Sequence, residues 1–551
     1  MKYFKLIPII TIAITLLISC ENLDYSEDVS MNQEFVFSEF GTTHAFLTNI
    51  YSYLPSDFSS IDGAMRSSAS DDAEYVWDPS TVQMFNDGTW SPIYAIDNQW
   101  SNMYSGIRAC NLLLDELAKN RKFEELRYND GYDQMMERYA LFPYEARFLR
   151  AFFYFELSKR YGDIPLITTV LNEQEANGST KVPYESVVKF IVDECDAISE
   201  YLPISYLNIP SNETGKATRG AAYALKARTL LYAASPLHNN SNSNEKWIEA
   251  AIAAKKIIDS NLYSLDSYNN FVNNLFSSEL IFETRQGASN TFERANFPIG
   301  YEGGNTGNCP TQNLVDCYEM KSTGKSIFDS GSGYDPLNPY VGRDPRFAKT
   351  ILYNGAMFKN ESVEIWAGGK NAPPLLNATR TGYYLRKYVV ENISLNPVNP
   401  SSIVHVWVTF RLGEVLLNYA EAMNEAYGPY SVGPGTLSMT AAEAVNLIRS
   451  RAEMPYFPDN LTKEEFRVKL MNERRVELAF EDHRFWDLRR WKIGNTTTNI
   501  YGMNIVKNND GSFLYQNELI EQRVWNDKMY LYPIPQNEVY INSNLTQNNG
   551  W

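Results

Sequence analysis

The chain has 551 residues, with 66 acidic against 49 basic side chains and a net charge of -17 at neutral pH. This charge excludes a nucleic-acid-binding protein that relies on attraction to phosphates, because such proteins present a basic surface. Apolar residues make up 44% and charged residues 21%, which is typical of a folded protein. At this length we expect several packed units and not a single hydrophobic core. Aromatic residues reach 14%, so we expect some of them to face a ligand or a partner.

The first twenty residues have the features of an export signal. Lys2 and Lys5 flank the start of the apolar run Leu6–Ile18, which is too short to span a bilayer and is typical of a secretory signal peptide. The run ends in Ser19-Cys20, and this ending resembles a bacterial lipobox, which implies cleavage before Cys20 and acylation of that cysteine. We therefore predict a signal peptide over residues 1–19 and Cys20 as a lipid anchor; the alternative is an ordinary signal peptide with a chance cysteine.

Residues 20–34 are predicted to form an acidic tether. An acidic patch directly after an acylated cysteine resembles the surface-export signal of some Gram-negative lipoproteins, and a solvated linker explains the same residues equally well. Loss of the two lysines with the leader would bring the net charge to -19. No later segment is long and apolar enough to span a membrane. The tether acids are Glu21, Asp24, Glu27 and Asp28.

The N-terminal region, residues 35–262, is predicted to be helical, because apolar residues recur at intervals of three or four positions. Two neighbouring segments carry alanine at their contact positions and are joined by a Ser/Asn-rich turn, so they resemble a tetratricopeptide unit. The predicted helices are Asn98–Ala118, Tyr144–Arg160, Ser186–Leu202 and the paired segments Thr218–Ala234 and Trp247–Ile258.

A loop-rich insert is predicted over residues 263–408, where Gly, Pro and Asn interrupt short strand-like pieces such as Leu280–Thr284 and Tyr383–Val390. The C-terminal region, residues 409–551, returns to helices. The fold class that we predict is therefore mostly α, a scaffold of tetratricopeptide-like helical pairs with an irregular insert containing short strands. The C-terminal signals are a second pair, Glu414–Ala426 and Ala441–Ala452, and a capping box at Thr462–Glu465.

Cysteine and histidine give no metal-site spacing. Beyond Cys20, Cys110 and Cys195 lie within apolar helical patterns and are predicted to be core residues. Cys309 and Cys317 could be bridged or free. The four histidines are scattered, so we predict neither a metal nor a cofactor.

Five stretches, in this order and after a lipobox, together resemble the SusD/RagB family of outer-membrane glycan-binding lipoproteins. They extend over nearly the whole chain. The stretches are Glu145–Ala151 with Tyr161–Leu166, Arg411–Glu414 with Tyr419–Ala422, Leu447–Arg449 with Arg451–Ala452, Glu473–Arg489, and Tyr532–Glu538 with Gln547–Trp551.

The resemblance implies a lipid-anchored protein on the outer face of the outer membrane that binds polysaccharide or oligosaccharide. It implies a TonB-dependent SusC-like barrel as partner, and no catalysis. Peptide or another nutrient is the alternative cargo, because the family fold does not fix the ligand. A scaffold that binds only another protein is a further alternative. The acidic charge favours neutral glycans over sulfated or uronate chains.

The charged C-terminal segment Glu473–Arg490 is predicted to be structural. Its carboxylates alternate with arginines, a density suited to ion pairs between packed segments. A glycosidase would use two such carboxylates, but a general acid needs a raised pKa, and neighbouring arginines lower it. On the predicted helix Glu414–Ala426, one face is interpreted as a solvent-facing or capping stripe; its residues are Glu414, Asn418, Glu421 and Glu425.

The loop Ser67–Trp100 is the first candidate glycan site, because sugars bind exposed aromatic planes beside hydrogen-bonding side chains. In the family that the chain resembles, the loop before this helix commonly helps to form the ligand site. From this loop we therefore select Asp71, Asp72, Trp77 and Trp90. Trp100 is in helical phase and is assigned to the core.

The insert is the second candidate region. Tyr301 and Trp366 each stand beside paired glycines, which keep neighbouring bulk away from the ring. For every aromatic residue in these loops the alternative is a ring folded onto the body of the protein. Trp407 and Trp486 lie inside apolar patterns and are predicted to be core residues.

Overall fold

The computed structural model describes residues 32–207 and 213–551. The predicted signal peptide, the anchor Cys20 and the tether as far as residue 31 lie outside the described residues. Within the described ranges, no helix combines the length and the apolar character needed to cross a bilayer. Residues 33 and 34, which were assigned to the tether, already belong to the first helix.

Helices form most of the scaffold, at both ends of the chain. In the first half they are α1 (Gln33–Ser38), α2 (Phe40–Ile50), α3 (Gln83–Asp87), α4 (Trp100–Leu117), α5 (Tyr132–Tyr139), α6 (Phe142–Tyr161), α7 (Glu173–Asn177), α8 (Tyr184–Ile198), α9 (Arg219–Ala234) and α10 (Asn244–Asp259). In the second half they are α11 (Thr291–Asn296), α12 (Gln312–Val315), α13 (Arg346–Thr350), α14 (Leu412–Tyr427), α15 (Ala441–Arg451), α16 (Lys463–Glu477), α17 (Arg484–Arg490) and α18 (Gln536–Ile541).

The long helices pack in series, each against its neighbours. Helix α4 packs on α6, α6 on α8, α8 on α9, α9 on α10 and α10 on α14, which also contacts α15 and α16. Buried alanines such as Ala221 and Ala251 stand in α9 and α10 and allow these two helices to approach closely. Both predicted pairs are confirmed, and so is the capping box, in which Thr462 accepts from the amide of Glu465.

Helix α6 is buried on almost every side, although it carries many charges. A helix can be buried all round only if its charged groups are paired. The Glu145 carboxylate accepts a hydrogen bond from Arg138, and Arg150 donates to Glu194 at 3.0 Å. These pairs let the motif that begins at Glu145 form the centre of the N-terminal core.

Short antiparallel strand pairs join distant parts of the chain. The strands are β1 (Ala73–Tyr75), β2 (Leu280–Arg285), β3 (Asn308–Pro310), β4 (Ile351–Leu352), β5 (Met357–Phe358), β6 (Glu361–Ser362), β7 (Tyr384–Leu385), β8 (Val406–Arg411), β9 (Asn499–Lys507) and β10 (Phe513–Gln522). They pair as β1 with β3, β2 with β8, β4 with β7, β5 with β6 and β9 with β10.

The strand predictions were right in type but incomplete. The first predicted piece is β2, while only two residues of Tyr383–Val390 form a strand. The hairpin of β9 and β10 lies in the C-terminal region, for which we predicted helices only. Most side chains of β10 are exposed, so the apolar alternation that reveals a strand is absent.

The four cysteines of the described chain are free thiols. Cys110 and Cys195 are buried in the helical core, as predicted. Cys309 and Cys317 do not form the bridge that the sequence left open. Burial raises the pKa of the Cys317 thiol, so it is not a reactive thiolate at neutral pH.

Candidate functional site

The candidate loop and the insert pack directly against each other. Strand β1 of the loop pairs with β3 of the insert, with Glu74 opposite Cys309. Beside this pair, the buried amide oxygen of Asn308 accepts hydrogen bonds from Met65 N at 2.8 Å and Ser68 Oγ at 2.9 Å. The two regions that the sequence selected separately are therefore adjacent.

The C-terminal hairpin is the third segment that packs at this place, and it contacts the candidate loop. The Arg523 guanidinium, directly after β10, donates to the carbonyl of Ala73 at 3.0 Å and to that of Ser70. It also donates to Glu521 at 2.9 Å. Backbone acceptors and a carboxylate together hold this arginine between the hairpin and the loop.

Trp77 is an exposed aromatic residue on this surface, with 38% of its area accessible. Its indole Nε1 donates to the carbonyl of Asn305 at 2.9 Å. This hydrogen bond fixes the ring against the insert while part of the ring remains open to solvent. A fixed, partly exposed aromatic plane is what the apolar face of a sugar ring requires.

A cavity of about 300 Å³ adjoins this loop. Three segments of the chain contribute to it, the loop, the insert and the hairpin. Its lining is strongly polar and offers hydrogen-bond acceptors from carboxylates and donors from a guanidinium and an amide. The lining residues are Glu74, Asp78, Gln83, Asp87, Arg380, Ile520 and Glu521.

Glu74 is the buried carboxylate of this cavity, with 2% of its area exposed. Its Oε1 accepts a hydrogen bond from Arg380, while Oε2 has no partner in the described part of the chain. Burial raises the pKa of this carboxyl to about 7, although Arg380 and Arg523 oppose the shift. The side chain therefore changes charge near neutral pH.

We expect Glu74→Gln to remove a pH dependence of stability. Because the pKa of Glu74 is raised from 4.5 to about 7 in the folded state, its stabilising contribution is present below pH 4.5 and is lost as the pH rises through 7. The variant should thus gain about 1–3 kcal/mol relative to the native chain between pH 5 and pH 8. Urea unfolding at both pH values measures this, with the exposed Glu124→Gln as control; an equal difference at both pH values would contradict it.

Asp71 and Asp72, selected from the sequence as ligand-facing residues, are buried. Arg484 donates to both oxygens of Asp71, at 2.8 and 2.9 Å, and Arg475 Nε donates to Asp72 at 2.6 Å. Burial opposes the ionisation of Asp71, but the charges of Arg475 and Arg484 outweigh it and lower its pKa to about 2. Both carboxylates are paired with arginines inside the protein. We therefore replace the prediction that they contact a ligand by a structural role as ion pairs.

Trp90 is also buried, with 2% exposed. Its ring packs against Phe85, Tyr532 and Trp551 at centroid distances of 4.5–5.1 Å. The ring is thus enclosed by other aromatic side chains, and the expected exposure is wrong. Trp100 is buried as predicted.

Tyr301 and Trp366 are half-buried in the insert. Tyr301 packs edge-on against Phe358 at 5.0 Å, and the ammonium of Lys507 lies 4.7 Å above the Trp366 ring. Neither of them lines the cavity of Glu74 and Asp78, and the same is true of Trp77. Their roles as glycan contacts remain predictions.

The charged C-terminal motif is an internal ion-pair network, as predicted. Arg346 donates to Glu473 at 2.6 Å and to Glu477 at 3.0 Å. The pKa of Glu473 is lowered, because the charges of Arg346 and Arg449 outweigh the effect of burial. A carboxyl held ionised in this way cannot serve as a general acid.

The prediction that the carboxylates of α14 face solvent is wrong. Instead of facing solvent, Glu414 is buried and accepts from Arg228 Nε at 2.7 Å, and Glu421 accepts from Arg490 at 2.6 Å. The helix is packed against neighbours on both sides, so its polar stripe carries internal ion pairs.

None of the seven residues that line the cavity was selected from the sequence. Glu74 stands in the acidic run that includes Asp71 and Asp72, but nothing in the sequence shows which of these carboxylates lines the cavity. Within residues 32–207 and 213–551, no group of three or more His, Cys, Asp or Glu side chains is arranged to hold a metal ion.

Comparison with known proteins gives consistent matches over both halves of the chain. A family model described as "SusD family" matches residues 278–551, and one described as "Starch-binding associating with outer membrane" matches residues 21–231. The SusD-like protein P2 of Formosa agariphila is 24% identical over 420 residues, covering 74% of this chain and 73% of that protein.

Solved structures match the fold over almost its whole length. A SusD-like protein of Bacteroides fragilis is 26% identical with a TM-score of 0.77, covering 94% of this chain and 98% of its own. A SusD-like carbohydrate binding protein of the same species is 26% identical with a TM-score of 0.74, covering 93% and 100%. The helical scaffold, the ordered motifs and these matches lead to one conclusion: the chain belongs to the SusD family.

Proposed function

We propose that this protein captures polysaccharide or oligosaccharide at the outer face of the outer membrane and delivers it to a TonB-dependent SusC-like barrel. The observation that carries the proposal is the fixed, partly exposed indole of Trp77, which is followed directly in the chain by Asp78, a lining residue of a polar cavity of about 300 Å³. The name of the similar carbohydrate binding protein supports the same ligand class.

The chemistry of this surface suits a sugar. A pyranose ring presents an apolar face that stacks on an aromatic plane and a rim of hydroxyls that need donors and acceptors. Trp77 supplies the plane, and in the cavity Gln83 and Arg380 supply donors while Glu74 and Asp78 supply acceptors. The cavity volume is near the lower end of the range for small-ligand sites, roughly 300–1,000 Å³.

Anchoring through acylated Cys20 is part of the proposal. The lipobox-like ending of the leader and the outer-membrane association in the description of the matching family model support it. The barrel partner follows from the resemblance to the family. We propose a binding role without catalysis, because the buried carboxylates of the C-terminal motif are neutralised by arginine and lysine.

Trp77→Ala is expected to weaken glycan binding at least about tenfold, because it removes the stacking plane. The measurement is affinity electrophoresis of the mature chain carrying Cys20→Ser through native gels that contain a panel of polysaccharides. Tyr128→Ala is the matched control, since Tyr128 is 92% exposed and lies on a loop between α4 and α5.

Retardation by one glycan that is lost in Trp77→Ala and kept in Tyr128→Ala supports the proposal. Retardation kept in both variants retains the function and places the binding surface elsewhere, with Tyr301 and Trp366 tested next. No retardation by any glycan, together with binding of peptides, would replace the glycan by the alternative cargo.

A further inference from the structure

The cavity lined by Glu74 and Asp78 carries an excess of negative charge. Four carboxylates contribute to its lining, from Glu74, Asp78, Asp87 and Glu521, against the single guanidinium of Arg380. A neutral sugar needs acceptors, but it does not need this many charged ones. The excess favours a ligand with a positive charge and disfavours uronates and sulfated sugars.

Internal partners occupy only part of this acceptor capacity. Glu521 accepts from Arg523, and one oxygen of Asp87 accepts from the backbone and hydroxyl of Thr89. Asp78 is exposed and has no hydrogen-bond or ion-pair partner among residues 32–207 and 213–551. The cavity therefore retains carboxylate oxygens that are free to accept from a ligand.

The unpartnered Oε2 of Glu74 is independent evidence for a bound donor. A buried carboxylate oxygen without a hydrogen bond is costly, and this one belongs to a side chain that is 2% exposed and lines the cavity. Its other oxygen already accepts from Arg380. A hydrogen-bond donor on a ligand would give the second oxygen of Glu74 a partner.

We propose that the cavity recognises a free amino group on a glycan, so that the preferred ligand contains an amino sugar such as glucosamine in its non-acetylated form. This inference rests on the proposed function and narrows its ligand class. The ammonium group would donate to Glu74 Oε2 and Asp78, and Trp77, which directly precedes Asp78 in the chain, would supply the plane for another ring of the same glycan. An N-acetyl group would remove that charge and add bulk at the same point.

The titration of Glu74 is consistent with this ligand. Its raised pKa reflects burial, with Arg380 and Arg523 opposing and Glu521 adding to the shift. A bound ammonium would favour the ionised carboxylate and bring its pKa down. The group therefore changes from half-protonated to charged when the proposed ligand binds near neutral pH.

The test is isothermal titration of the mature Cys20→Ser chain at pH 7 and low salt. It compares glucosamine oligosaccharides with N-acetylglucosamine oligosaccharides of the same length and linkage. A hydrogen bond to a charged partner is strong enough to predict at least about tenfold tighter binding of the amino form. Added salt should reduce this preference.

Two variants test the residues. Asp78→Asn and Glu74→Gln should each bring the two affinities close together. Because the Asp78 side chain is exposed, we expect Asp78→Asn to fold normally. Asp130→Asn is the matched control. Asp130 is exposed on the loop between α4 and α5, so this variant should keep the preference for the amino form.

Equal affinities, or tighter binding of the acetylated form, would overturn the inference while glycan binding itself stands. Retention of another glycan from the panel without any binding of glucosamine oligosaccharides would overturn it in the same way. Binding of a lysine-rich peptide with no glycan bound at all would overturn both this inference and the proposed function.

Discussion

Arg411→Met is expected to lower the free energy of unfolding by about 3–5 kcal/mol. The Arg411 guanidinium donates to Glu279 at 2.6 Å, Glu477 at 2.7 Å and Glu481 at 2.6 Å, and these side chains are at most 1% exposed. Methionine fills a similar volume but removes one counter-charge from each of these three buried carboxylates, which keep ion pairs with Arg346, Arg451 or Lys387. Guanidinium-induced unfolding followed by circular dichroism measures the loss.

The control for this variant is Arg127→Met. Arg127 pairs with Glu124 at 3.6 Å, but both side chains are more than half exposed, and such surface pairs contribute about 1 kcal/mol or less. We expect its unfolding curve to overlay that of the native chain. Similar small losses in both variants would contradict the claim that the arginine network stabilises the core.

Arg475→Ala is expected to cost a similar amount, about 3–5 kcal/mol, and also to weaken glycan binding. Arg475 donates to Asp72 at 2.6 Å and lies 2.9 Å from Asp71, so it pairs with two of the buried carboxylates of the candidate loop. Without it, the segment directly before β1 is no longer held against α16. Unfolding by guanidinium and retardation in glycan gels should therefore change together.

Arg467→Ala is the matched control on the same helix. Arg467 pairs with Glu425, but its side chain is 38% exposed, so solvent can replace the lost interaction. We expect little change in stability and unchanged retardation. A fully stable Arg475→Ala with normal glycan retardation would show that the loop is positioned by other contacts.

Much of the scaffold could be predicted from the sequence, because helical periodicity is local information. The alanine-rich pair that became α9 and α10 and the cap at Thr462 depend on residues a few positions apart. The hairpin of β9 and β10 was missed, since its exposed strand lacks apolar alternation. The turn Asn508-Asn-Asp-Gly511 is a hairpin signal that could have identified it.

The site was predictable by region but not by residue. The loop Ser67–Trp100 supplies Glu74, Asp78, Gln83 and Asp87 to the cavity, yet none of these was selected. Asp71 was selected because an acidic side chain in a loop resembles a ligand contact. Its partner Arg484 stands 413 positions later, and no local pattern reveals such a pairing.

The pairing of this early loop with late segments sets the order in which the protein can be completed during synthesis. When β1 leaves the ribosome, its partner strand at Asn308–Pro310 and the arginines at 475 and 484 have not been made. Asp71 and Asp72 must stay hydrated until then, since buried carboxylates need their counter-charges. A product that terminates before residue 475 therefore contains every residue of the loop and cannot assemble its surface.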